Sequence, residues 1–314
     1  MVGCFHAGQA SDAKMKAVTL KSPAKINLFL EVTGKRKDGY HLLETLFAKI
    51  DLCDIITVAR TGREGAVVLS VSAVAGIKLS SGSDNLAVRA AEKFRTEFGI
   101  TEGLRITLKK KIPIGAGLGG GSSNAASTLL ALAKLFKAGK KSPKWKKILN
   151  IAAGLGADVP FFMREETFCI GKGIGEKLTP LRPGGALPQV VLVYPGAPSY
   201  TSEVYKRLAL PDRKTVLTSR LSLHKLILGL KNGKPLLGWR QFLMNRLESA
   251  VLPYNGPVRK LKEDLLKAGA PVVLMSGSGS AVFSLVPGVS RAEGLSVKIR
   301  GKGRKVFTGR FFRG

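Results

Sequence analysis

The stretch KKKIPIGAGLGGGSSNAASTLLALAKLF, residues 109–136, decides the fold of this 314-residue chain. A basic lead-in ends at Pro113, five glycines follow between Gly115 and Gly121, and Ser122 opens an Ala/Leu-rich segment with helical spacing. Glycines let a backbone pass close to a ligand, and the first turn of a helix presents unpaired N–H groups at the positive end of its dipole. The stretch predicts a phosphate-binding loop at a helix start, and a plain glycine-rich turn before a core helix is the simpler alternative.

The glycine spacing separates the known kinds of phosphate loop. Gly121 stands where a P-loop would have its lysine, so that motif is absent. Three of the glycines fit G-x-G-x-x-G, but the dinucleotide fingerprint also needs an acidic residue about 20 positions further on. After Glu102 the next acidic residue is Asp158. Dinucleotide binding is therefore disfavoured.

The composition limits the class of protein. A chain of 314 residues with 45% hydrophobic residues is long enough for two domains with sizeable cores. It has no run of about 18 uncharged apolar residues, so no spanning helix is predicted. The three cysteines and three histidines are scattered, which argues against a disulfide framework or a zinc centre and favours a reducing, cytoplasmic compartment. Residues 1–15 are expected to form an irregular lead, and Met1 and Met15 are both candidate start sites.

The net charge of +30, from 51 basic and 21 acidic residues, has two interpretations. A nucleic-acid or acidic-membrane partner would explain it, and so would a generally basic surface. Lysines and arginines recur along the whole chain without one dominant stripe, and aromatic residues that could stack on bases are sparse among them. The second interpretation is favoured, so neither a specific nucleic-acid partner nor a membrane contact is predicted.

Two further segments carry candidate chemistry. Apolar residues alternate from Ala24 to Val32, which predicts a strand with Lys25 and Asn27 together on its opposite face; an edge strand with one wet face is the alternative. Asp158 lies in a long basic stretch beside Val-Pro-Phe-Phe. A carboxylate in such surroundings is either buried with a partner or placed for chemistry. The phosphate loop and Lys25 favour a catalytic role.

The second half of the chain shows fewer signals. Helices are predicted over 201–208, 235–251 and 258–268. The sequence Ser276-Gly-Ser-Gly-Ser280 predicts a tight turn between two strands, and on its own it would be read as a hairpin turn.

Several separated motifs, in the same order along the chain, resemble those of the GHMP small-molecule kinases. The glycine loop carries most of this resemblance. The Ala-Lys-Ile-Asn and Gly-Tyr-His motifs resemble the branch that acts on a cytidine-diphosphate methylerythritol. The matching segments are Pro23–Leu28, Gly39–His41, Ser83–Leu86, Pro113–Ala126, Gly154–Pro160, Gly173–Glu176, Asn245–Glu248 and Ser276–Gly279.

The resemblance implies an α+β, two-lobed GHMP kinase fold. Its N-terminal ATP-binding domain, residues 1–170, would resemble domain 2 of ribosomal protein S5. Residues 171–314 would form a ferredoxin-like α/β substrate domain, whose last strand is a candidate for return to the first domain. The implied activity is ATP-dependent phosphorylation of the 2-hydroxyl of the cytidine-diphosphate alcohol, in non-mevalonate isoprenoid precursor biosynthesis. The alternatives are a homoserine- or mevalonate-type kinase and, from another class, a basic RNA-associated protein.

The resemblance also implies ATP and Mg²⁺ as cofactors and assigns roles to individual residues. Asp158 would be the catalytic base and Lys25 its cationic partner. Ser123 is a candidate magnesium ligand, although the full ligand set is unknown from sequence. The ATP phosphates would be held by Pro113, Ile114, Gly115, Ala116, Gly117, Leu118, Gly119, Gly120, Gly121, Ser122 and Ser123.

The implied substrate is a small molecule, and its two ends would meet different residues. Asn27 and Asp158 would hold the erythritol end. Tyr40 and His41 would meet the cytosine, with Tyr205 as a weaker stacking candidate. The expected assembly is a monomer or a weak homodimer.

Overall fold

The structure is a computed structural model that describes residues 16–73, 82 and 84–313. Residues 1–15, for which an irregular lead is predicted, lie outside the described residues. In chain order the strands are β1 Ala17–Lys35, β2 His41–Glu64, β3 Val67–Ala73, β4 Glu102–Lys110, β5 Phe168–Lys172, β6 Lys177–Leu181, β7 Gln189–Tyr194, β8 Met244–Asn245, β9 Leu274–Met275, β10 Val282–Val286 and β11 Lys305–Gly309.

Helices occur in both halves of the chain. Two 3-10 turns, Leu236–Gly238 and Arg240–Phe242, follow the sixth helix. The helices are α1 Leu86–Phe98, α2 Gly120–Leu135, α3 Trp145–Leu155, α4 Val159–Met163, α5 Thr201–Arg207, α6 Arg213–Lys231, α7 Glu248–Val251, α8 Gly256–Lys267 and α9 Val289–Ile299.

The first sheet has the strand order β3-β4-β2-β1-β8, and β5 and β6 extend it from the first part of β2. Helices α1 to α4 cover one face, where Phe94 and Leu132 pack with the alternating apolar residues of β4 such as Ile106. Strand β5 spans residues 170 and 171, where the sequence places the domain boundary, so this sheet continues to Leu181.

Strand β1 is buried on both faces. Ala24, Ile26 and Leu28 are fully buried, and the intervening Lys25 and Asn27 are also nearly inaccessible. Because β1 pairs with β2 on one side and with β8 on the other, the alternative of an edge strand with one wet face is wrong. The polar face of β1 instead forms the floor of a cleft.

The second sheet has the order β11-β7-β10-β9 and forms the core of the second lobe. Val191 and Val282 pack there with Leu261 of α8 and Leu295 of α9. The last strand, β11, pairs with β7 of this sheet. The residues after β11 reach back to the first sheet, where Phe311 bridges Ile50 of β2.

The predicted helices over 201–208 and 258–268 are confirmed by α5 and α8. The prediction of one helix over 235–251 is wrong. The chain there forms the two 3-10 turns, strand β8 and the four-residue α7. Pro235 and Gly238 disfavour a continuous helix, and Asn245 is held by pairing with β1 and by its side chain, which donates to the carbonyls of Met275 and Gly277.

Candidate active site

A cleft of about 1030 Å³ lies between the polar face of β1, the glycine loop, α5 and the turn that follows β9. The structure brings most of the sequence-predicted residues to this one cleft. Its lining includes Lys25, Asn27, Tyr40, His41, Asp158, Tyr205 and residues 113–122. Ser123 is the exception, because it is buried beneath the loop and its hydroxyl accepts a hydrogen bond from Ser22 at 2.8 Å.

Lys25 and Asp158 form an ion pair in the cleft, with 3.7 Å between Nζ and Oδ2. The Asp158 side chain is 30% exposed, whereas that of Lys25 is 6% exposed. Burial lowers the pKa of Lys25, and the charge of Asp158 partly offsets this effect. An ammonium group with so little water around it interacts strongly with any negative charge placed beside it.

Asn27 fixes the position of the Lys25 ammonium group. Its Oδ1 accepts a hydrogen bond from Lys25 Nζ at 2.7 Å, and its Nδ2 donates to Thr45 Oγ1 at 2.8 Å. The Thr45 hydroxyl in turn donates to the carbonyl of Phe29 at 2.6 Å. This chain of hydrogen bonds leaves the lysine little freedom to turn away from Asp158.

The glycine loop requires glycine at specific positions. Gly115, Gly117 and Gly119 have left-handed φ angles of 64°, 71° and 66°, a region that residues with a Cβ rarely adopt. A Cβ at Gly117 would lie 2.0 Å from the carbonyl oxygen of Ser276. Gly119 is the N-cap of α2, and no side chain caps that helix. The first-turn N–H groups of α2 are therefore available to an anion in the cleft.

A buried ion pair anchors the loop from below. Asp54, with a fully buried side chain, accepts hydrogen bonds from the Lys110 ammonium group and from Asn124 Nδ2. Its other oxygen accepts from the backbone N–H groups of Lys111 and Ile112 at 2.7 and 2.9 Å. The sequence did not identify this anchor, because Asp54 and Lys110 are 56 positions apart. No local pattern singles out Asp54, because the same strand carries several other charged residues.

The turn Ser276–Ser280 contacts the glycine loop rather than acting only as a hairpin. Ser276 Oγ donates to the carbonyl of Gly117 at 3.1 Å, and the N–H of Ala281 donates to that of Ala116 at 3.1 Å. The N–H of Ser199, which precedes α5, donates to the carbonyl of Gly115 at 2.8 Å. The second lobe therefore holds the loop along one side.

Aromatic side chains line the end of the cleft near α5. The rings of His41 and Tyr205 lie 4.8 Å apart at 30°, and Tyr40 is 60% exposed. Burial, reinforced by the charge of Lys35, lowers the pKa of His41 and favours its neutral form. Burial also raises the pKa of Tyr205, with a smaller contribution from Asp158. These are flat, uncharged rings suited to stacking on a base.

The cleft contains oxygen atoms that fit a magnesium ion carried by a nucleotide. Mg²⁺ is commonly held by one or two carboxylates together with substrate phosphates and water, and the Asp158 carboxylate and the Ser122 hydroxyl both line the cleft. The described residues contain no group of three or more His, Cys, Asp or Glu side chains placed to hold a metal ion. Within that same part of the chain, none of the helices combines the length and the apolar character that a transmembrane span requires.

The chain matches the family model of the GHMP kinases N terminal domain over residues 85–166 and that of the GHMP kinases C terminal over residues 229–305. It is 39% identical over 293 residues to the 4-diphosphocytidyl-2-C-methyl-D-erythritol kinase of Chlorobium phaeobacteroides strain DSM 266, which covers 93% of this chain and 94% of that protein. The kinase of the same name from Citrifermentans bemidjiense is 39% identical and covers 91% of this chain and 95% of its own length.

Solved structures show the same relationship. A crystal structure of 4-(cytidine 5'-diphospho)-2C-methyl-D-erythritol kinase is 32% identical, with a TM-score of 0.73, covering 95% of this chain and 100% of that chain. The homoserine kinase of Cytophaga hutchinsonii has a TM-score of 0.75 at 19% identity, covering 97% of this chain and 98% of that chain, so this likeness is one of fold alone.

Proposed function

The chain belongs to the family of 4-diphosphocytidyl-2-C-methyl-D-erythritol kinases, within the GHMP kinases, and we propose that it transfers the γ-phosphoryl group of ATP to the 2-hydroxyl of that diphosphocytidyl alcohol. The observation that carries the mechanism is the convergence of Asp158, Lys25 and the glycine loop in one cleft. This reaction is a step of non-mevalonate isoprenoid precursor biosynthesis.

The glycine loop and the start of α2 bind the ATP phosphates. Phosphoryl transfer asks a protein mainly to position its reactants and to neutralise charge. Backbone N–H groups suit this task because they are fixed in place before the ligand arrives. The Asp54 anchor and the contact with Ser276 hold the loop in shape. A magnesium ion bound with the nucleotide would neutralise part of the phosphate charge, and the Ser122 hydroxyl, which lines the cleft, is a candidate protein ligand for it.

Asp158 accepts the proton of the attacking hydroxyl group. A positioned base of this kind typically contributes a factor of about 10²–10⁴ to the rate. Lys25, 3.7 Å away, pairs with the carboxylate and neutralises charge that develops on the transferred phosphoryl group. Asn27 orients Lys25 through its 2.7 Å hydrogen bond and, with Asp158, faces the erythritol end of the substrate.

The cytosine end of the substrate binds at the aromatic end of the cleft. Tyr40 is exposed and free to cover a base, while His41 and Tyr205 are already packed together. The neutral state of His41 favours this role, because a neutral imidazole has both a donor and an acceptor for a base edge. The cytoplasmic location, the magnesium requirement and a monomeric or weakly dimeric state remain predictions.

The substrate assignment is tested by ADP release with a panel of alcohols. Purified protein would be assayed with ATP and either the diphosphocytidyl methylerythritol, homoserine or mevalonate. We expect turnover with the first at a kcat/KM at least about 10³-fold above the others, because only it can occupy the aromatic end of the cleft. Preferred turnover of homoserine or mevalonate would contradict the assignment. RNA binding without ATP turnover would favour an RNA-associated protein instead.

A further inference from the structure

Helix α6 is apolar on two opposite sides. Its inner side packs on the core between the two lobes through Leu223, Leu226 and Leu230. Asp212 caps its first turn by accepting a hydrogen bond from the N–H of Thr215 at 2.7 Å. The helix is therefore fixed to the body of the protein, and whatever its outer side presents is held in a defined orientation.

The outer side carries a row of exposed leucines. Leu217, Leu221 and Leu228 are 60%, 58% and 43% exposed, and their spacing of four and seven residues places them on one helical face. We call these three residues the outer stripe. Single exposed leucines are common on protein surfaces, but a row along three turns of one helix marks an interaction surface.

Cations accompany every leucine of the outer stripe. Lys214 precedes Leu217 by three positions, Lys225 follows Leu221 by four and Lys231 follows Leu228 by three, and all three lysines are exposed. Side chains three or four positions apart are neighbours on a helix. No Asp or Glu occurs from Arg213 to Lys231. The acidic side chains that contact the helix are Asp212 at its N-cap, Glu44, which pairs with Arg220, and Glu31, which accepts a hydrogen bond from Ser219.

We propose that the outer face of α6 docks on an anionic phospholipid surface. A row of leucines flanked by lysines is the pattern of a helix that lies in the membrane interface, with its apolar side in the acyl boundary and its lysines at the phosphates. The charge of α6 complements such a surface, and the net charge of +30 adds long-range attraction. The even spread of charge along the sequence had disfavoured a membrane contact. Charge alone, however, does not reveal the exposed leucines of the outer stripe that lie between the cations of α6.

A second copy of this chain does not fit the same face. Lys214 lies at one end of α6 and Lys231 at the other, so parallel and antiparallel pairing of two α6 helices would each bring like charges together. The phosphates of a nucleic acid would pair with the lysines but would leave the exposed leucines in water. A lipid surface offers phosphates to the lysines and an apolar layer to the leucines.

The proposal is tested by vesicle flotation of the full chain. Vesicles of phosphatidylcholine alone would be compared with an equal mixture of phosphatidylcholine and phosphatidylglycerol, at low and physiological salt. We expect a partition coefficient at least about tenfold higher on the anionic vesicles, decreasing with salt. The double variant Leu217→Ser/Leu221→Ser should lower it by about tenfold, and Lys214→Gln/Lys225→Gln should lower it on the anionic vesicles alone.

The matched control removes equally exposed apolar residues elsewhere. Leu266 of α8 and Val297 of α9 are 60% and 65% exposed, so Leu266→Ser/Val297→Ser should bind vesicles as the parent does. None of the substituted residues lines the cleft, so ATP turnover should be unchanged in all these variants. Unchanged turnover also shows that each variant is folded. Equal binding to both vesicle types, or an equal loss in the stripe and control variants, would overturn the proposal. A dimer that the stripe variant dissociates would overturn it in favour of self-association.

Discussion

Asp54→Asn is expected to destabilise the protein and to loosen the phosphate loop. The substitution keeps the shape of the side chain and an acceptor for the N–H groups of Lys111 and Ile112. It turns the other oxygen into a donor that faces two donors, Lys110 and Asn124. The Lys110 side chain is 3% exposed, so its charge would be left buried and unpaired. Breaking a buried ion pair in this way costs about 3–5 kcal/mol.

The loss of stability in Asp54→Asn should depend on pH and on the presence of Lys110. Burial already lowers the pKa of Lys110 against the opposing effect of Asp54, and removing Asp54 lowers it further. The unfolded chain then binds more protons than the folded one above this lowered pKa, so the stability of the variant should rise with pH towards the ordinary lysine value. The double variant Asp54→Asn/Lys110→Met should recover most of the loss, because it buries no charge.

Urea unfolding measures the effect, and the KM for ATP reports the loop. We expect the free energy of unfolding to fall by about 3–5 kcal/mol in Asp54→Asn and the KM for ATP to rise. A loss below about 1 kcal/mol, the range of a surface ion pair, would refute the reasoning. The reasoning would also be refuted if the loss of stability in the double variant equalled the sum of the losses in Asp54→Asn and Lys110→Met, because additive losses mean that the two residues do not interact.

Three further outcomes follow from the structure. Gly117→Ala should raise the KM for ATP by at least about tenfold, because the new Cβ would clash with backbone atoms and the residue has a left-handed φ angle. The control Gly154→Ala, at a position with open space around it, should leave the KM for ATP unchanged. Tyr40→Ala should raise the KM for the cytidine-bearing substrate by about 5–100-fold and leave that for ATP nearly unchanged; equal effects would argue against base stacking. Burial lowers the pKa of Lys49 to about 8, so the contribution of Lys49 to stability should rise between pH 8 and 10.5 by up to about 3 kcal/mol. Unfolding experiments on the parent and on Lys49→Met measure this contribution as the change in their stability difference with pH.

The sequence predicted the parts of the site that depend on local patterns. Alternation along β1 placed Lys25 and Asn27 on one face, and the structure joins them by a hydrogen bond. The glycine density predicted a bend before α2, and three of those glycines have left-handed φ angles. Each of these signals lies within a few residues of the feature it predicts.

The supports of the site could not be predicted in the same way. Ser276 contacts Gly117 across 159 positions and Asp54 contacts Asn124 across 70, and no local period connects such residues. The placement of Ser123 illustrates the same point. Its hydroxyl looked available beside Ser122, but the turn of α2 directs it to Ser22, a residue of β1. Patterns in a single sequence predict which residues share one face of a helix or strand. Tertiary packing decides which other residues that face contacts.

The proposed role of Asp158 is tested most directly by the Asp158→Asn variant. Its kcat with ATP and the diphosphocytidyl methylerythritol would be measured beside its Kd for ATP, with Asp38→Asn, which lines the cleft near Tyr40, as the matched control. We predict that kcat falls by at least about 10²-fold while the Kd for ATP stays within about threefold, because backbone groups and not Asp158 hold the phosphates. A variant that retains near-normal kcat would contradict the central claim that this carboxylate is the base.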